Sequence, residues 1–167
     1  EILRCLVGSE MCIRDSYETE LVVRINRLGK NISERFAHRY YDAMTVGIDF
    51  PARDLQKKLR AGALPWELCK SFDNSAAIGD FIPVTELDNV QQLGFHLDID
   101  GQTVQAGNTK DMIFHIDTLI AYISRFMTLK IGDLIFTGTP VGIGPVKIGN
   151  HFEGYLEDKK VLDFYIR

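Results

Sequence analysis

The sequence has few cysteines and lacks a long apolar run. Its three cysteines, Cys5, Cys12 and Cys69, do not show the paired spacing of metal ligands. An odd number of cysteines without such pairing is typical of a reduced intracellular protein, so a disulfide-stapled domain is not expected. No stretch approaches the roughly 18 apolar residues that a membrane-spanning helix requires. These absences predict a cytoplasmic protein without a membrane partner.

The sequence also lacks an excess of either charge. Its 167 residues include 19 Lys and Arg and 23 Asp and Glu, which gives a net charge of −4. A nucleic-acid partner is not expected, because no basic patch or run is present. Hydrophobic residues make up 46% of the chain, which is enough for a folded core and too many for a disordered protein. We therefore expect one domain.

Residues 1–16 differ from the rest of the chain. They fit neither an amphipathic helix nor an alternating strand, and they contain two of the three cysteines. They also lack the succession of basic, apolar and small residues that defines a signal peptide. We interpret residues 1–16 as foreign to the protein and as replacing an authentic N-terminus. The functional domain is then expected to comprise residues 17–167.

Alternating apolar and polar residues predict strands through much of the chain. Asp100-Gly101 is a strong signal for a tight hairpin turn, and residues 157–160 predict a second hairpin near the C-terminus. The predicted strands are residues 18–25, 45–49, 95–99, 102–106, 133–136, 152–156 and 161–166.

Three helices are predicted between these strands. The first opens at residues 31–33 with Ser33 as its cap, and the second covers about residues 52–61. The third is expected to be capped by Asp117 and to end near Met127. Its buried stripe is expected to consist of Leu119, Ile120, Ile123 and Phe126. Many strands, few helices and no βαβ rhythm predict a β-rich α+β fold with a curled, barrel-like sheet.

The stretch from Ile131 to Asn150 consists of a short apolar strand followed by a loop of mainly Gly, Thr and Pro. Its glycines permit backbone geometries closed to other residues, and its prolines stiffen the chain. The stretch matches neither GxxxxGK[ST] nor GxGxxG, so a phosphate-binding loop is not predicted. The composition fits a tight structural turn and a binding loop equally well, and both interpretations remain open.

Glu18 and Glu20 project from the same face of the first predicted strand. Two like charges side by side favour a site for a hard divalent cation, although a solvated strand end has the same pattern. Asp49 ends the second strand, and Arg53 and Gln56 share a face of the following helix. This set fits a metal-and-anion site, and it equally fits a helix cap followed by a solvated helical face.

Lys70 lies between Trp66 and Phe72 in the sequence. Partial desolvation by these rings would suit its ammonium group to meeting a substrate oxygen. The alternative is a lysine that extends along apolar surface to reach solvent. The residues around Lys70 do not distinguish these two interpretations.

Four blocks of sequence carry a resemblance to a known family. They are YETELVV at 17–23, GIDFPARDLQ at 47–56, LPWELCKSFD at 64–73 and GDLIFTGTPVGIGPVKIGNHFEG at 132–154. In this order and spacing, they make the chain from Tyr17 to Arg167 closely resemble the fumarylacetoacetate hydrolase family. The resemblance implies a mixed β-roll with a few flanking helices, a homodimer, and a site that uses Mg²⁺ or Mn²⁺.

The resemblance also implies roles for individual residues. The family's three metal-binding carboxylates are matched by Glu18, Glu20 and Asp49. Its catalytic and substrate-contacting residues are matched by Arg53, Gln56 and Lys70, the last of them beside the metal. The threonine that meets the substrate carboxylate is matched by Thr139.

The resemblance implies an enzyme that acts on a small 2-oxo acid. We expect first a hydrolase that cleaves a C–C bond in an acylpyruvate or fumarylacetoacetate-like acid through a metal-stabilised enolate. Enolate stabilisation serves other reactions equally well. The alternative is therefore a decarboxylase or keto–enol isomerase of an oxaloacetate-like 2-oxo diacid.

Hydrolases of this family carry a His-Glu pair on an N-terminal lid, which activates the attacking water. The pair is expected before Tyr17, but residues 1–16 contain no histidine. The histidines elsewhere, none of which matches the pair, are His38, His96, His115 and His151. General-base assistance typically contributes about 10²–10⁴ in rate. We therefore expect this chain to be weak or inactive as a hydrolase, and an inactive metal-binding fragment is a third hypothesis.

Overall fold

Strands dominate residues 16–167, which are the residues that the computed structural model describes. The strands are β1 Ser16–Ile25, β2 Tyr41–Asp49, β3 Ala76–Ile78, β4 Ile82–Pro83, β5 Gly94–Ile99, β6 Gln102–Asn108, β7 Leu134–Phe136, β8 Gly144–Pro145, β9 His151–Leu156 and β10 Lys159–Tyr165. The α-helices are α1 Arg53–Ala61, α2 Glu67–Lys70 and α3 Ile116–Phe126. Short 3-10 helices cover Glu34–Arg39, Val84–Glu86 and Thr109–Asp111.

The strands form two antiparallel sheets. The first has the order β3-β2-β1-β7, with β4 also paired to β2 and β8 also paired to β1. The second has the order β10-β9-β5-β6. The prediction of a β-rich α+β fold with a curled sheet and few helices is confirmed.

Alternation along β1 explains where the main core lies. Leu21, Val23 and Ile25 are fully buried on one face of the strand. They belong to the same apolar cluster as Met44 of β2 and Ile120 of α3. Glu18, Glu20, Val22 and Arg24 project from the opposite face. Val22 is buried there as well, so a site on that face lies toward the start of β1.

A second apolar cluster is rich in aromatic rings. Phe50 contacts Phe152 and Phe164 edge to face, with ring centroids 6.0 and 6.5 Å apart. Phe152 and Phe164 stack on each other at 5.3 Å. These rings join the end of β2 to β9 and β10, so the two sheets share this core.

Both predicted hairpins are confirmed. Asp100 and Gly101 adopt positive φ angles of 52° and 76°, which is the geometry that a two-residue turn between β5 and β6 demands. The C-terminal hairpin turns at Glu157, whose φ is 51°. Its turn is shorter than predicted, because β9 ends at Leu156 and β10 begins at Lys159.

The first predicted helix is a 3-10 helix, Glu34–Arg39, with six residues. Ser33 occupies the position before it but makes no capping hydrogen bond through its side chain. The chain must enter β2 at Tyr41, so only a short, tightly wound segment fits between the strands. Ser33 is thus the cap residue as predicted, although its backbone carbonyl, and not its side chain, accepts from the N–H of Phe36 at 2.9 Å.

The third predicted helix begins earlier than expected. Its first residue is Ile116, which is 1% exposed, and His115 holds the cap position. Asp117 therefore lies in the first turn, where a negative charge is favourable, and it is not the cap. The burial of Ile116 fixes this start, which the apolar pattern beginning at Leu119 did not include.

The buried stripe of α3 also differs from the prediction. Its buried residues are Ile116, Ile120 and Ser124, spaced four apart along one face. Phe126 is 63% exposed and contacts Tyr122, with ring centroids 5.2 Å apart. The prediction that Phe126 is buried was wrong, because this i, i+4 ring pair lies on the outer face of the helix.

The N-terminal prediction falls almost wholly outside the described residues. Ser16 begins β1 and pairs with Pro145 of β8, whereas residues 1–15, with Cys5 and Cys12, are not described. The foreign origin of residues 1–16 and the domain boundary at 17–167 stay predictions. Cys69 is buried, and it forms no disulfide among the residues that the structure describes. Within residues 16–167, no helix is both long and apolar enough to cross a membrane.

Candidate metal and substrate site

The face of β1 opposite the main core carries Glu18 and Glu20. The register between β1 and β2 places Glu18 directly across from Asp49. Each of the three carboxylates offers an oxygen, and these oxygens all lie within 4.8 Å of one another. Glu18 and Glu20 are buried, at 9% and 6% exposure, so the charges are not those of a solvated strand end.

Two cations lie against these carboxylates. Arg53, the first residue of α1, donates from Nη2 to Glu18, and its Nη1 donates to Gln56 Oε1 at 2.8 Å. Lys70, the last residue of α2, donates from Nζ to Glu18 Oε2 at 2.6 Å and also to Asp49. The Lys70 ammonium group therefore occupies a position between two carboxylates, where a positive charge is favoured.

The pKa values of the carboxylates reflect their confinement. Burial raises the pKa of Glu20 to about 7, and the charges of Asp49 and Glu18 add to this effect. Burial also raises the pKa of Asp49, although Lys70 acts in the opposite direction. Burial acts likewise on Glu18, but Lys70 and Arg53 hold its pKa below the ordinary value. The site therefore concentrates negative charge that a further cation would stabilise.

The donor set fits a hard divalent cation. Three carboxylate oxygens at short separation are the ligands that Mg²⁺ and Mn²⁺ prefer, and no soft sulfur or imidazole ligand is among them. The Lys70 ammonium group already bridges two of the three carboxylates. Glu18, Glu20 and Asp49 could thus hold such an ion.

The loop after β7 is tied to the carboxylate strand. Thr137 binds the carbonyl of Leu21 through both its N–H, at 3.2 Å, and its hydroxyl, at 2.9 Å. The N–H of Gly138 then donates to Glu20 Oε2 at 2.6 Å. Gly138 has a φ of 100°, which only glycine adopts readily, so the residue type is required for this contact. The loop therefore lies at the carboxylate cluster.

Thr139 follows Gly138, but its hydroxyl contacts Gln105 and not the carboxylate of Glu20. Its Oγ1 accepts a hydrogen bond of 3.0 Å from Nε2 of Gln105 in β6. The geometry thus joins six of the predicted residues directly, and places Thr139 beside them through Gly138. Gln105 and Gly138 were not predicted as site residues. Gln105 resembles any polar residue of an alternating strand, so no local signal marked it.

A second group of possible ligands lies on the surface of the second sheet. It consists of His151, Glu153 and Asp163. Lys160 donates to Glu153 at 3.1 Å and to Asp163 at 2.5 Å, and His151 lies 2.8 Å from Asp163. These contacts form an exposed ion-pair network of ordinary kind.

The sequence is similar to a known family model and to curated proteins. The family model for the fumarylacetoacetate (FAA) hydrolase C-terminal region matches residues 7–167. The chain is 41% identical over 133 residues to the mitochondrial oxaloacetate decarboxylase of Dictyostelium discoideum, covering 80% of this chain and 61% of the relative. It is 42% identical over 133 residues to the mitochondrial oxaloacetate tautomerase FAHD1 of Arabidopsis thaliana, covering 80% and 60%. The chain thus spans about three fifths of the length of these two relatives.

A solved structure shows the same fold. The fumarylpyruvate hydrolase of Pseudomonas aeruginosa, crystallised with Mn²⁺ and pyruvate, superposes with a TM-score of 0.87 at 31% identity, covering 100% of this chain and 72% of its own. The mitochondrial names of the two sequence relatives leave the cytoplasmic location of this chain a prediction. The match over nearly the whole chain, together with these likenesses, shows that the chain belongs to the fumarylacetoacetate hydrolase family.

Proposed function

We propose that residues 17–167 form the catalytic domain of a divalent-metal-dependent enzyme that interconverts the keto and enol forms of an oxaloacetate-like 2-oxo diacid. The observation that carries the proposal is the cluster of Glu18, Glu20 and Asp49 beside two cationic side chains. Relatives at 41% and 42% identity are named as an oxaloacetate decarboxylase and an oxaloacetate tautomerase. These names favour the alternative from the sequence over C–C hydrolysis, which was expected first.

In this proposal Glu18, Glu20 and Asp49 hold Mg²⁺ or Mn²⁺. When bound, the cation supplies Lewis acidity that stabilises negative charge on the 2-oxo oxygen of the substrate. The three carboxylates balance the charge of the ion, and a hard cation that prefers six or more oxygens keeps further positions for other oxygen ligands.

Arg53 and Gln56 bind and orient the substrate. Contacts with Glu18 and Gln56 fix the guanidinium group of Arg53 while 19% of its side chain stays exposed. A guanidinium group held in this way can donate two parallel hydrogen bonds to a substrate carboxylate, which fixes the position and the orientation of that carboxylate. The hydroxyl of Thr139 and the Gly138 loop offer further contacts to a substrate carboxylate.

Lys70 stabilises the negative charge that develops on the 2-oxo oxygen when a solvent water takes the proton from C3 of the substrate. Burial lowers the pKa of Lys70, but its bonds to Asp49 and Glu18 outweigh burial and raise the pKa above its ordinary value. The ammonium group therefore stays protonated, and the one N–H that Glu18 and Asp49 leave free can donate to the enol oxygen. Solvent then returns a proton to that oxygen, which completes the enol.

Decarboxylation of the same diacid is the second candidate. It also develops charge on the 2-oxo oxygen, so Arg53 and Lys70 would act as above, and the name of the Dictyostelium relative favours it. Product analysis separates the two reactions, because only decarboxylation releases carbon dioxide.

The test uses oxaloacetate with Mg²⁺ or Mn²⁺ and follows the loss of the ultraviolet absorbance of the enol, with carbon dioxide measured in parallel. We expect the chain to accelerate tautomerisation. Glu20→Gln should lower this rate by more than about 100-fold, beyond the 10–100-fold typical of losing a residue that only supports a metal ligand. Glu153→Gln, the same change in the surface network, should leave the rate within about twofold.

Two outcomes would contradict the proposal. A folded chain that binds Mn²⁺ but accelerates neither reaction would be the inactive metal-binding fragment. A chain that instead splits an acylpyruvate into two acids would be the hydrolase that the sequence analysis expected first.

A further inference from the structure

The edge of β1 beside the candidate site is not paired continuously. β1 pairs with β7 from Val22 onward and with β8 at Ser16 and Tyr17. Between these pairings β1 advances five residues, from Tyr17 to Val22, while the opposite chain runs eight residues, from Phe136 to Gly144. The opposite chain therefore bulges away from β1 next to Glu18 and Glu20, and the backbone groups there need another partner.

The side chain of Gln105 fills this gap. It is 2% exposed, and its Oε1 accepts from the backbone N–H of Thr19 at 2.9 Å. Its Nε2 donates to the hydroxyl of Thr139 and to the carbonyl of Pro140, both at 3.0 Å. The amide has one orientation, because the Thr19 N–H only donates and the Pro140 carbonyl only accepts.

These bonds join the two parts of the candidate site. Thr19 lies between Glu18 and Glu20, and the ladder with β2 on the other edge of β1 holds this backbone independently of Gln105. Thr139 follows Gly138, which donates to Glu20. Gln105 is thus a buried side chain of the second sheet that connects the carboxylate strand to the loop across the unpaired edge.

The loop also packs closely on β6. A Cβ added to Gly142 would lie 2.7 Å from the carbonyl oxygen of Val104 and 3.1 Å from Cγ of Gln105. Gly142 has a φ of 109°, so its own conformation is one that favours glycine. The loop is therefore held against Gln105 by backbone contact as well as by hydrogen bonds.

We propose that Gln105 is a positioning residue, which holds the Thr139 hydroxyl and the loop at a fixed place beside the carboxylate cluster. It acts on the substrate through Thr139 and does not act on the metal ligands. This inference rests on the proposed function, in which Thr139 meets a substrate carboxylate. Loss of the Gln105 bonds should therefore weaken substrate binding and leave metal binding intact.

The test uses two variants of Gln105 and one matched control. Gln105→Glu keeps an acceptor for Thr19 but loses both donors, and Gln105→Met keeps the volume without burying a charge. Each should raise KM for oxaloacetate about tenfold and change kcat much less, as expected for one lost binding hydrogen bond. Gln102→Glu is the same change at an exposed position of β6, and its KM and kcat should stay within about twofold of the wild-type values.

A second measurement does not depend on turnover. The dissociation constants of Mn²⁺ alone, and of oxalate in the presence of Mn²⁺, are determined by calorimetry. Both Gln105 variants should raise the dissociation constant of oxalate about tenfold, and that of Mn²⁺ should stay within about twofold of the wild-type value. If the wild type does not turn over oxaloacetate, the proposed function fails, while these two constants still decide the role of Gln105.

A double-mutant cycle with Thr139→Val tests whether Gln105 acts through Thr139. The double variant Gln105→Met, Thr139→Val should bind oxalate no more weakly than the weaker single variant, because both changes remove the same contact. Independent, multiplying effects would overturn the proposal. So would an equal loss of Mn²⁺ affinity, or failure of both Gln105 variants to fold, which would show a structural role.

Discussion

Thr19 shows how a single residue adapts to its place in the sheet. Its side chain is fully buried, and its hydroxyl has no hydrogen-bond partner among residues 16–167. Its backbone N–H, by contrast, is bound by Gln105. A buried hydroxyl without a partner carries a desolvation cost, so the side chain of Thr19 lowers stability while its backbone supports the loop.

Thr19→Val should therefore raise the free energy of unfolding by about 1 kcal/mol, because valine has the same shape and no unpaired hydroxyl. Urea unfolding measures the change. Thr109→Val is the matched control, since the buried Thr109 hydroxyl donates to Val90 at 3.0 Å and accepts from Leu93 at 2.9 Å. The free energy of unfolding of the control variant should fall by about 1–3 kcal/mol. Equal destabilisation of the two variants would contradict the prediction.

At this scale, strand alternation alone predicts that Glu18 and Glu20 share a face. The position of Asp49 opposite them depends on the β1–β2 register, which the sequence pattern did not provide and the family resemblance implied. Gln105 could not be predicted, because its partners lie 86 residues away at Thr19 and 34 residues away at Thr139. Local patterns carry no information on contacts so distant.

Among the elements, the chain directly after β3 makes a close contact with β10 of the second sheet. The N–H of Asp80 donates to the carbonyl of Val161 at 2.7 Å, next to the bulge in β10. Gly79 lies against the same carbonyl, and a Cβ there would be only 2.5 Å from the Val161 oxygen. The sheets can meet in this way only because residue 79 has no side chain.

Gly79→Ala should lower the free energy of unfolding by about 1–3 kcal/mol, the usual cost of overpacking, because a backbone carbonyl cannot rotate out of the way. The control is Gly94→Ala in β5, where the nearest atom to a new Cβ is 3.9 Å away. Thermal unfolding compares the two variants. A Gly79→Ala protein as stable as the control would show that the sheets separate at little cost.

The elements with strong local signals were the predictable ones. Asp100-Gly101 fixed a hairpin because its two residues adopt the turn geometry without help from the rest of the chain. The start of α3 and the outward position of Phe126 depend on which side chains meet the sheet. That information is tertiary, so the apolar period alone placed them wrongly.

At the scale of the molecule, residues 16–167 contain two apolar clusters, neither of which includes a residue of the site. One packs α3 on β1 and β2, and the other joins the two sheets through aromatic rings. Arg53 and Lys70 already neutralise part of the carboxylate charge. The fold therefore does not require a metal ion in the way that a small zinc domain does.

Chelation with EDTA should accordingly leave the far-ultraviolet circular dichroism spectrum unchanged. Saturating Mn²⁺ should raise the midpoint of thermal unfolding, because the ion binds the folded state. At 100 times the dissociation constant, it adds about 2.7 kcal/mol to the free energy of unfolding. Glu20→Gln should lose this stabilisation, whereas Glu153→Gln should keep it. Loss of secondary structure in EDTA would contradict the prediction.

The expected homodimer remains a prediction that light scattering can test.

The pairing of β1 with β2 also bears on how the chain folds. A slip of one residue in this register would turn every side chain of β1 to the opposite face. Glu18 and Glu20 would then enter the apolar cluster, and burying unpaired carboxylates costs several kcal/mol for each ion. The acidic residues that we propose as metal ligands thus also destabilise the misaligned pairing of β1 with β2, and so favour the native register during folding.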